Sequence, residues 1–367
     1  MLYFLSNYLT PLWGPFRLLQ SHALLLAGGT FTAALLTLLL LPRLWNRLPR
    51  DRGKALCKDL GGMQSAGKPT GAGFWITLVA LPVILVFAPL AFWDLMTVLA
   101  LYAAMLFGYF DDRAQVPWGE LKKGLLDLAV SLAAAAFIYL GHHEDGGMLV
   151  WLPFFTGPIN GAYVVSGWLY VPVAAFILWF TMNATNCSDG VDGLAGSLTV
   201  IALAMLAVIL YVVVGYRPVA HYFLIPVYAE AARWAIVVMI AAGSFGAYLW
   251  WNAEPSSILM GDAGSRFLGM LVAAASLMTG NPFIVLALAP IALVNGGGGL
   301  GKLVLLRLAK KVGFEIGEDA AIRKIRFPLH DHCKKNLHWS NAQVLMRFIL
   351  LQLAVMPILL ILLLKIR

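Results

Sequence analysis

Apolar residues occur in ten long blocks along the chain, and this feature most restricts what the chain can fold into. The blocks hold 15–25 residues, and about 20 apolar residues in an α-helix cross a hydrocarbon layer of ~30 Å. The blocks are residues 22–42, 73–91, 95–110, 124–140, 169–183, 195–214, 233–251, 265–280, 283–307 and 344–364. The pattern predicts about ten transmembrane helices.

The composition excludes an ordinary soluble protein. The 367 residues are 61% apolar and 12% charged, whereas soluble domains average about 45–50% apolar and about 25% charged. Without internal repeats or a low-complexity tail, we expect a single all-α, polytopic membrane domain over residues 1–367. The stretch before residue 22 lacks a basic start and a small-residue cleavage site, which favours an interfacial lead-in over a signal peptide.

Basic residues are divided unevenly between the two sets of loops that ten spans create. All but five of the 26 Lys and Arg residues lie in or beside loops 43–72, 111–123, 184–194, 252–264 and 308–343. The exceptions are Arg17, Arg217, Arg233, Lys365 and Arg367. The positive-inside rule therefore predicts that these loops are cytoplasmic and both termini outside. Cys57, Cys187 and Cys333 fall on the predicted cytoplasmic side, where thiols stay reduced.

Five aspartates lie at or beside predicted cytoplasmic helix ends, in three different loops. They are Asp111, Asp112, Asp189, Asp192 and Asp262. Charges at membrane depth are costly, so such residues usually line a polar cavity that serves function. Solvated loop acids are the alternative, but five acids in similar positions beside Gly and Asn favour a shared site.

The surroundings of these aspartates suit a cation that binds phosphates. The adjacent carboxylates at 111–112 repel each other and favour a nearby cation or metal. A spacing of three residues, which on a helix gives one face, relates Asn183, Asn186, Asp189 and Asp192. Asp262 lies between glycines just before a span, and this position predicts a site for Mg²⁺, which usually takes one or two carboxylates together with substrate phosphates.

The last basic loop contains His330 and His332 on either side of Asp331. This triplet lacks the further ligands of a closed transition-metal site, although Cys333 follows and keeps zinc as an alternative. Anion binding beside Lys334 and Lys335 is favoured. Residues 302–326 mix basic and apolar side chains, typical either of a segment along the membrane surface or of an ordinary cytoplasmic loop.

Two other polar or glycine-rich segments are interpreted without a function. The segment 142–145 (His-His-Glu-Asp) lies in a predicted outer loop and is expected to be solvated. Four consecutive glycines at 296–299 lack the Gly-Lys-Ser/Thr ending of a phosphate loop. Inside a span they indicate a helix break or a tight helix contact.

The ordered motifs resemble those of the polyprenyl-phosphate N-acetylhexosamine-1-phosphate transferases, over about residues 20–367. They are Gly67–Gly73, the pair at 111–112, the Asn/Asp-Gly run at 183–193, Gly261–Ser265 and Pro328–His332. Trp339 and Arg347 favour the branch that handles phospho-MurNAc-pentapeptide. The resemblance implies transfer of that group from its UDP donor to undecaprenyl phosphate, with Mg²⁺, giving lipid I and UMP. It also implies a bacterial inner-membrane location and a homodimer; no nucleic-acid partner is expected.

The resemblance also implies roles for individual residues. Asp262 would be the Mg²⁺ ligand, with Asp192 beside it, and Asp111 and Asp112 would flank the phosphates, one of them as a base. Because the second phosphate pKa is about 6, the lipid phosphate is already largely dianionic at pH 7, so Asp111 is expected to have a modest orienting or proton-accepting role. The substrate-binding positions would be Thr70, Lys123, Asn183, Asn186, Asp189, Asp192, Asn252, His330 and His332.

The chain departs from the family pattern at five positions. Ser65, Gln115, Leu259, Asn295 and Asp331 replace a lysine, a lysine, an aromatic residue, a glutamate and a histidine, respectively. Leu259 removes a stacking surface for uracil, and Lys68 lies near the lysine missing at 65. These changes concern nucleotide and sugar contacts more than metal chemistry.

The residues leave three alternative functions open. A sibling transferase would use UDP-GlcNAc or a related UDP-sugar. An ion-coupled transporter would place carboxylates at the membrane midplane, whereas these cluster at one side and no inverted repeat is visible. A CDP-alcohol phosphotransferase would need an Arg soon after Asp-Gly and two later spaced Asp, which residues 189–200 do not provide.

Overall fold

A computed structural model describes residues 1–51, 65–116, 118–144, 146–313 and 321–365. Within them the protein is mostly helical. The helices are α1 (Leu2–Leu9), α2 (His22–Leu44), α3 (Ala72–Phe87), α4 (Phe92–Arg113), α5 (Glu120–His142), α6 (Gly167–Cys187), α7 (Leu194–Val208), α8 (Arg217–Tyr222), α9 (Ala231–Asn252), α10 (Gly261–Leu277), α11 (Ile284–Leu288), α12 (Pro290–Ala292), α13 (Gly298–Lys311), α14 (Ala321–Lys324), α15 (Leu329–Asn336) and α16 (Asn341–Lys365). Arg52, Lys54, Cys57, Lys58, Asp145 and Arg367, used in the sequence predictions, lie outside the described residues.

Every predicted apolar block coincides with helical structure. Among the described residues, eight helical segments are long and apolar enough to cross a membrane. They are His22–Arg47, Phe92–Arg113, Glu120–His142, Gly167–Cys187, Leu194–Val213, Ala231–Asn252, Pro290–Lys311 and Asn341–Leu364. The other two predicted spans correspond to α3, with 16 residues, and α10, with 17.

Three span boundaries differ from the prediction for identifiable reasons. The blocks 95–110 and 169–183 are parts of longer helices, because the polar residues that follow each block remain helical in α4 and α6. The block 283–307 is interrupted, since Ala289 leaves the helical conformation between α11 and α12. A π-helical segment, Leu293–Gly297, then leads into α13.

Helix α10 forms the centre of the bundle. All of its residues from Ala263 to Leu277 are buried, and it packs against α3, α4, α6 and α7. Small residues allow this close packing: a Cβ added at Gly269 would lie 2.8 Å from the Thr181 carbonyl oxygen of α6. Helix α2 packs on α3 and α9, α5 packs on α4 and α6, and α16 packs on α7, α11 and α12.

A small sheet and a buried aspartate occupy one end of the bundle. Strands β1 (His143–Glu144), β2 (Gly147–Val150) and β3 (Tyr163–Val165) pair antiparallel in that order. Asp94, at the start of α4, accepts hydrogen bonds from the Trp234 indole at 2.8 Å and the Ala91 backbone N–H at 3.1 Å. His142 Nε2 lies 3.5 Å from the Asp94 carboxylate and is half-buried. The expectation that 142–145 is solvated is therefore wrong for His142, whereas His143 is exposed.

Candidate active site

Helices α3, α4 and α10 meet at backbone contact, and glycines make the contact possible. A Cβ added at Gly108 of α4 would lie 2.5 Å from the Asp262 carbonyl oxygen. A Cβ at Gly73 of α3 would overlap the backbone of Gly264 in α10. This convergence brings the end of α4, which carries Asp111 and Asp112, beside Asp262 at the start of α10. We call this end of the bundle the aspartate end.

The Gly73 contact leads to a stability prediction. Gly73→Ala should lower the free energy of unfolding by about 1–3 kcal/mol, because the added methyl group forces α3 and α10 apart. Thermal unfolding of the detergent-solubilised protein measures the change. Gly246→Ala is the matched control, since a Cβ at this helical glycine meets nothing within 4 Å. Equal unfolding temperatures for the two variants would contradict the packing argument.

Asp112 anchors the first turn of α10. Its Oδ1 accepts a hydrogen bond from the Asp262 N–H at 3.2 Å, and its Oδ2 accepts one from the Ala263 N–H at 3.3 Å. These N–H groups are among those that a helix cannot satisfy internally. Gly261 has φ +70, a left-handed conformation that favours glycine, and its Cα faces the Asp112 carboxylate.

Lys123 joins Asp111 to Asp262. Its Nζ lies 2.6 Å from Asp111 Oδ2 and 3.9 Å from Asp262 Oδ2. The backbone N–H of Trp118 donates to the other oxygen of Asp111, Oδ1, at 2.8 Å. The side chain of Asp111 is 6% exposed and that of Asp262 is 29% exposed, so Asp262 is the more accessible of the two carboxylates.

A second cation approaches Asp262 from the bundle interior. Arg266, one turn further along α10, places Nη2 3.3 Å from Asp262 Oδ2, and its Nη1 pairs with Asp127 of α5. Arg266 and Asp127 are both buried. The sequence motifs point to neither residue, although the position of each charge within a predicted span is a signal of function.

The polar segment 183–193 is helical only in its first half. Asn183 and Asn186 lie on α6, which ends at Cys187. Asn186 donates to the Ser265 hydroxyl at 2.9 Å, and Asn183 donates to the Trp179 carbonyl oxygen. The expectation of one helical face for all four polar residues is therefore wrong for Asp189 and Asp192, which follow the end of the helix.

The loops around Asp192 are joined by hydrogen bonds. Asp192 Oδ2 accepts from the Ser256 N–H at 3.0 Å and lies 3.5 Å from Lys68 Nζ. Lys68 also donates to the Ser256 hydroxyl at 2.9 Å, so the ammonium group reaches this cluster although residue 65 is a serine. Buried Asn252 accepts from the Gly193 N–H at 2.8 Å and donates to the Ile258 carbonyl oxygen.

Thr70 is placed by backbone pairing between two loops. Its N–H donates to the Pro49 carbonyl oxygen, and the neighbouring Pro69 accepts from the Leu259 N–H at 2.8 Å. Thr70 is buried, at the entrance of α3 beside α10. The backbone of Leu259 therefore helps to position the start of α10, which carries Asp262, independently of the Leu259 side chain.

The two histidines of α15 have different surroundings. His330 is buried against Gly190, and its backbone N–H donates to Asn295 Oδ1 at 2.9 Å. His332 instead accepts from the Arg326 N–H at 3.2 Å. His330 therefore joins the 189–193 loop, whereas this hydrogen bond of His332 lies within its own segment.

The described residues contain no group of three or more His, Cys, Asp or Glu side chains that could hold a metal. The zinc alternative at 330–333 is therefore unsupported, and burial raises the pKa of the Cys333 thiol, which disfavours a thiolate ligand. A Mg²⁺ ion places a smaller demand on the protein, because one or two carboxylates suffice when substrate phosphates supply the remaining oxygens. The partly exposed Asp262 carboxylate meets that requirement.

The four glycines at 296–299 form a tight contact. A Cβ at Gly297 would lie 2.5 Å from the Phe180 ring of α6, and one at Gly299 would lie 3.1 Å from Phe327. A Cβ at Gly296 would overlap the Ala184 carbonyl oxygen. The π-helical segment through Gly297 and these contacts confirm the structural interpretation.

Comparison with known proteins gives one family and close relatives. The model of glycosyl transferase family 4 matches residues 95–280. Two proteins of Treponema pallidum, one from strain Nichols and one from a second strain of subspecies pallidum, carry the name phospho-N-acetylmuramoyl-pentapeptide-transferase. Each is 43% identical over 350 residues, 94% of this chain and 91% of the relative. The region that the family model matches contains the Asp111, Lys123 and Asp262 cluster.

Proposed function

Because this chain belongs to glycosyl transferase family 4 and, within it, to the phospho-N-acetylmuramoyl-pentapeptide transferases, we propose that it makes lipid I for peptidoglycan synthesis. The enzyme transfers phospho-MurNAc-pentapeptide from its UDP donor to undecaprenyl phosphate and releases UMP. The observation that carries this function is 43% identity over 94% of the chain to relatives that bear the transferase name. The convergence of Asp111, Asp112 and Asp262 at one end of the bundle supports the same chemistry.

The reaction brings several phosphate charges together, so the residues must position and neutralise them. Phosphoryl transfer depends mainly on positioning and electrostatic stabilisation. Lys123 and Arg266 supply two positive charges within 4 Å of Asp262. Lys123, 18% exposed, is the more accessible cation and would bind a phosphate oxygen of the donor.

Mg²⁺ is the proposed cofactor, and it would neutralise charge developing on the diphosphate. Asp262 would hold it, with Asp192 as the second proposed ligand from the neighbouring loop. The hard carboxylate oxygens, the exposure of Asp262 and the phosphates of the donor fit the usual Mg²⁺ coordination. Lys68, beside Asp192, would balance the charge of that carboxylate when no donor is bound.

The acceptor and the donor would approach different parts of the site. Asp111 would orient the lipid phosphate, with proton acceptance as a minor role, and its contact with Lys123 supports this position. The nucleotide and sugar side would be formed by Thr70, Asn183, Asn186, Asp189, Asn252, His330 and His332. Burial of His330 against Gly190 supports its place beside the 189–193 loop.

We also propose ten spans with both termini outside and the aspartate end at the cytoplasmic face of the bacterial inner membrane. Helices α3 and α10 would be about 24 Å and 26 Å long at 1.5 Å per residue, short for crossing alone but enclosed by longer helices. The basic residues concentrated at the aspartate end support this orientation. A homodimer remains the expected assembly.

UMP release by the purified, detergent-solubilised protein tests the proposed function. We expect release with UDP-MurNAc-pentapeptide, undecaprenyl phosphate and Mg²⁺ together, and loss of release when the lipid is omitted or Mg²⁺ is chelated. UDP-GlcNAc should give little UMP under the same conditions. Preference for UDP-GlcNAc would favour the sibling transferase, and cation flux into proteoliposomes without any UMP would favour the transporter.

A further inference from the structure

Arg266 and Asp127 form an ion pair behind the Asp262 carboxylate. Arg266 is 4% exposed and Asp127 is 1% exposed. The guanidinium group is shared: Nη1 contacts Asp127 on α5, and Nη2 contacts Asp262 Oδ2, on the same helix as Arg266, at 3.3 Å. Asn183 of α6 lies next to the Asp127 carboxylate. Three helices therefore contribute to the environment of a single guanidinium.

Stability alone is a weak reason for such a pair. Desolvating two charges can cost more than their attraction returns, and apolar replacements of buried pairs are often neutral or stabilising. Charges within membrane spans generally mark function. Arginine also suits this position better than lysine, because its planar fork can contact two carboxylates at once.

We propose that Arg266, held in place by Asp127, is a positioning residue that fixes the Asp262 carboxylate for the transfer reaction. Lys123 approaches Asp262 Oδ2 at 3.9 Å, and Arg266 approaches the same oxygen at 3.3 Å. Two cations on one oxygen restrict rotation of the carboxylate. Asp127 in turn holds the Arg266 guanidinium against α5 and prevents it from rotating toward solvent. The inference rests on the proposed function, since it assigns Asp262 to the reaction.

Comparison of the two single variants with the double variant separates a positioning role of the ion pair from a role in stability. Arg266→Met leaves the buried Asp127 carboxylate without its cation, and Asp127→Leu leaves buried Arg266 with only its contact to Asp262 among the described residues. Both single variants should therefore lower the unfolding temperature of the metal-free protein. The double variant D127L/R266M removes both charges and should recover most of that stability. Its kcat should nevertheless remain about 10- to 100-fold below that of the parent protein, because Asp262 is no longer fixed.

Two further variants sharpen the result. Arg266→Lys keeps a positive charge near Asp262 and should retain more kcat than Arg266→Met. Arg233→Met is the matched control: Arg233 lies 3.8 Å from buried Asp94, far from the aspartate end. Its loss should lower the unfolding temperature without changing kcat. The KM for the UDP donor should change less than kcat in all the Arg266 variants.

A stable double variant with the kcat of the parent protein would overturn the inference, because the pair would then be only structural. A raised KM for the UDP donor with unchanged kcat would overturn it as well, since positioning of Asp262 acts on the reaction step. No UMP release by the parent protein would instead overturn the proposed function, and this inference with it.

Discussion

Asp262→Asn should remove Mg²⁺-dependent UMP release while leaving the protein folded. The amide keeps the size of the side chain but lacks the negative charge that would hold a divalent cation against the donor phosphates. We expect kcat to fall by about 10²–10³-fold or more, as for the loss of a group that stabilises transition-state charge. Asp262 is partly exposed and its backbone contacts to Asp112 are unaffected, so the unfolding temperature should change little.

The matched control for this substitution lies in the loop that precedes α10. Glu254 is exposed and accepts a hydrogen bond from Asn341 at 3.0 Å, away from the Asp111 and Asp262 contacts. Glu254→Gln removes one negative charge from the loop and should leave turnover unchanged. Initial rates of UMP release over a Mg²⁺ titration compare the two variants. Retained Mg²⁺-dependent turnover in folded Asp262→Asn would show that another residue holds the metal.

Hydrophobic patterning predicted most of the helices and the position of the site. Each of the ten predicted apolar blocks coincides with helical structure, and eight helical segments among the described residues are long and apolar enough to cross a membrane. Asp111, Asp112 and Asp262 were expected to meet because each lies at the same predicted membrane face. Their meeting in the structure required nothing beyond helix order and direction, together with small residues such as Gly108.

Contacts between helices were not readable from the sequence. The pairing of Arg266 with Asp127 and of Trp234 with Asp94 depends on how helices rotate about their axes, and apolar periodicity is weak when a helix is buried all round. The break at Ala289, by contrast, has a signal in the sequence, because Pro290 follows it and the residue before a proline is disfavoured in the helical conformation. Asp189 and Asp192 match a helical spacing, yet the chain leaves α6 before them and is left-handed at Gly193.

Substitution of Asp112 should weaken the reaction by a different route from substitution of Asp262. Both carboxylate oxygens of Asp112 accept backbone N–H groups of α10, so Asp112→Ala leaves two donors at a helix start without that partner. Loss of such a cap costs about 0.5–2 kcal/mol. The turn that carries Asp262 would shift, and a shift of about 1 Å can reduce kcat by about 10²-fold.

Stability and activity should therefore fall together in Asp112→Ala, whereas activity alone falls in Asp262→Asn. Asp112→Asn is intermediate, because its single amide oxygen can accept one N–H while its NH₂ group faces the other donor. Thermal unfolding and kcat, measured on the same preparations, order the three variants. If Asp112→Ala unfolds at the temperature of the parent protein but loses kcat, the carboxylate acts on the phosphates directly, and anchoring of α10 is not its main role.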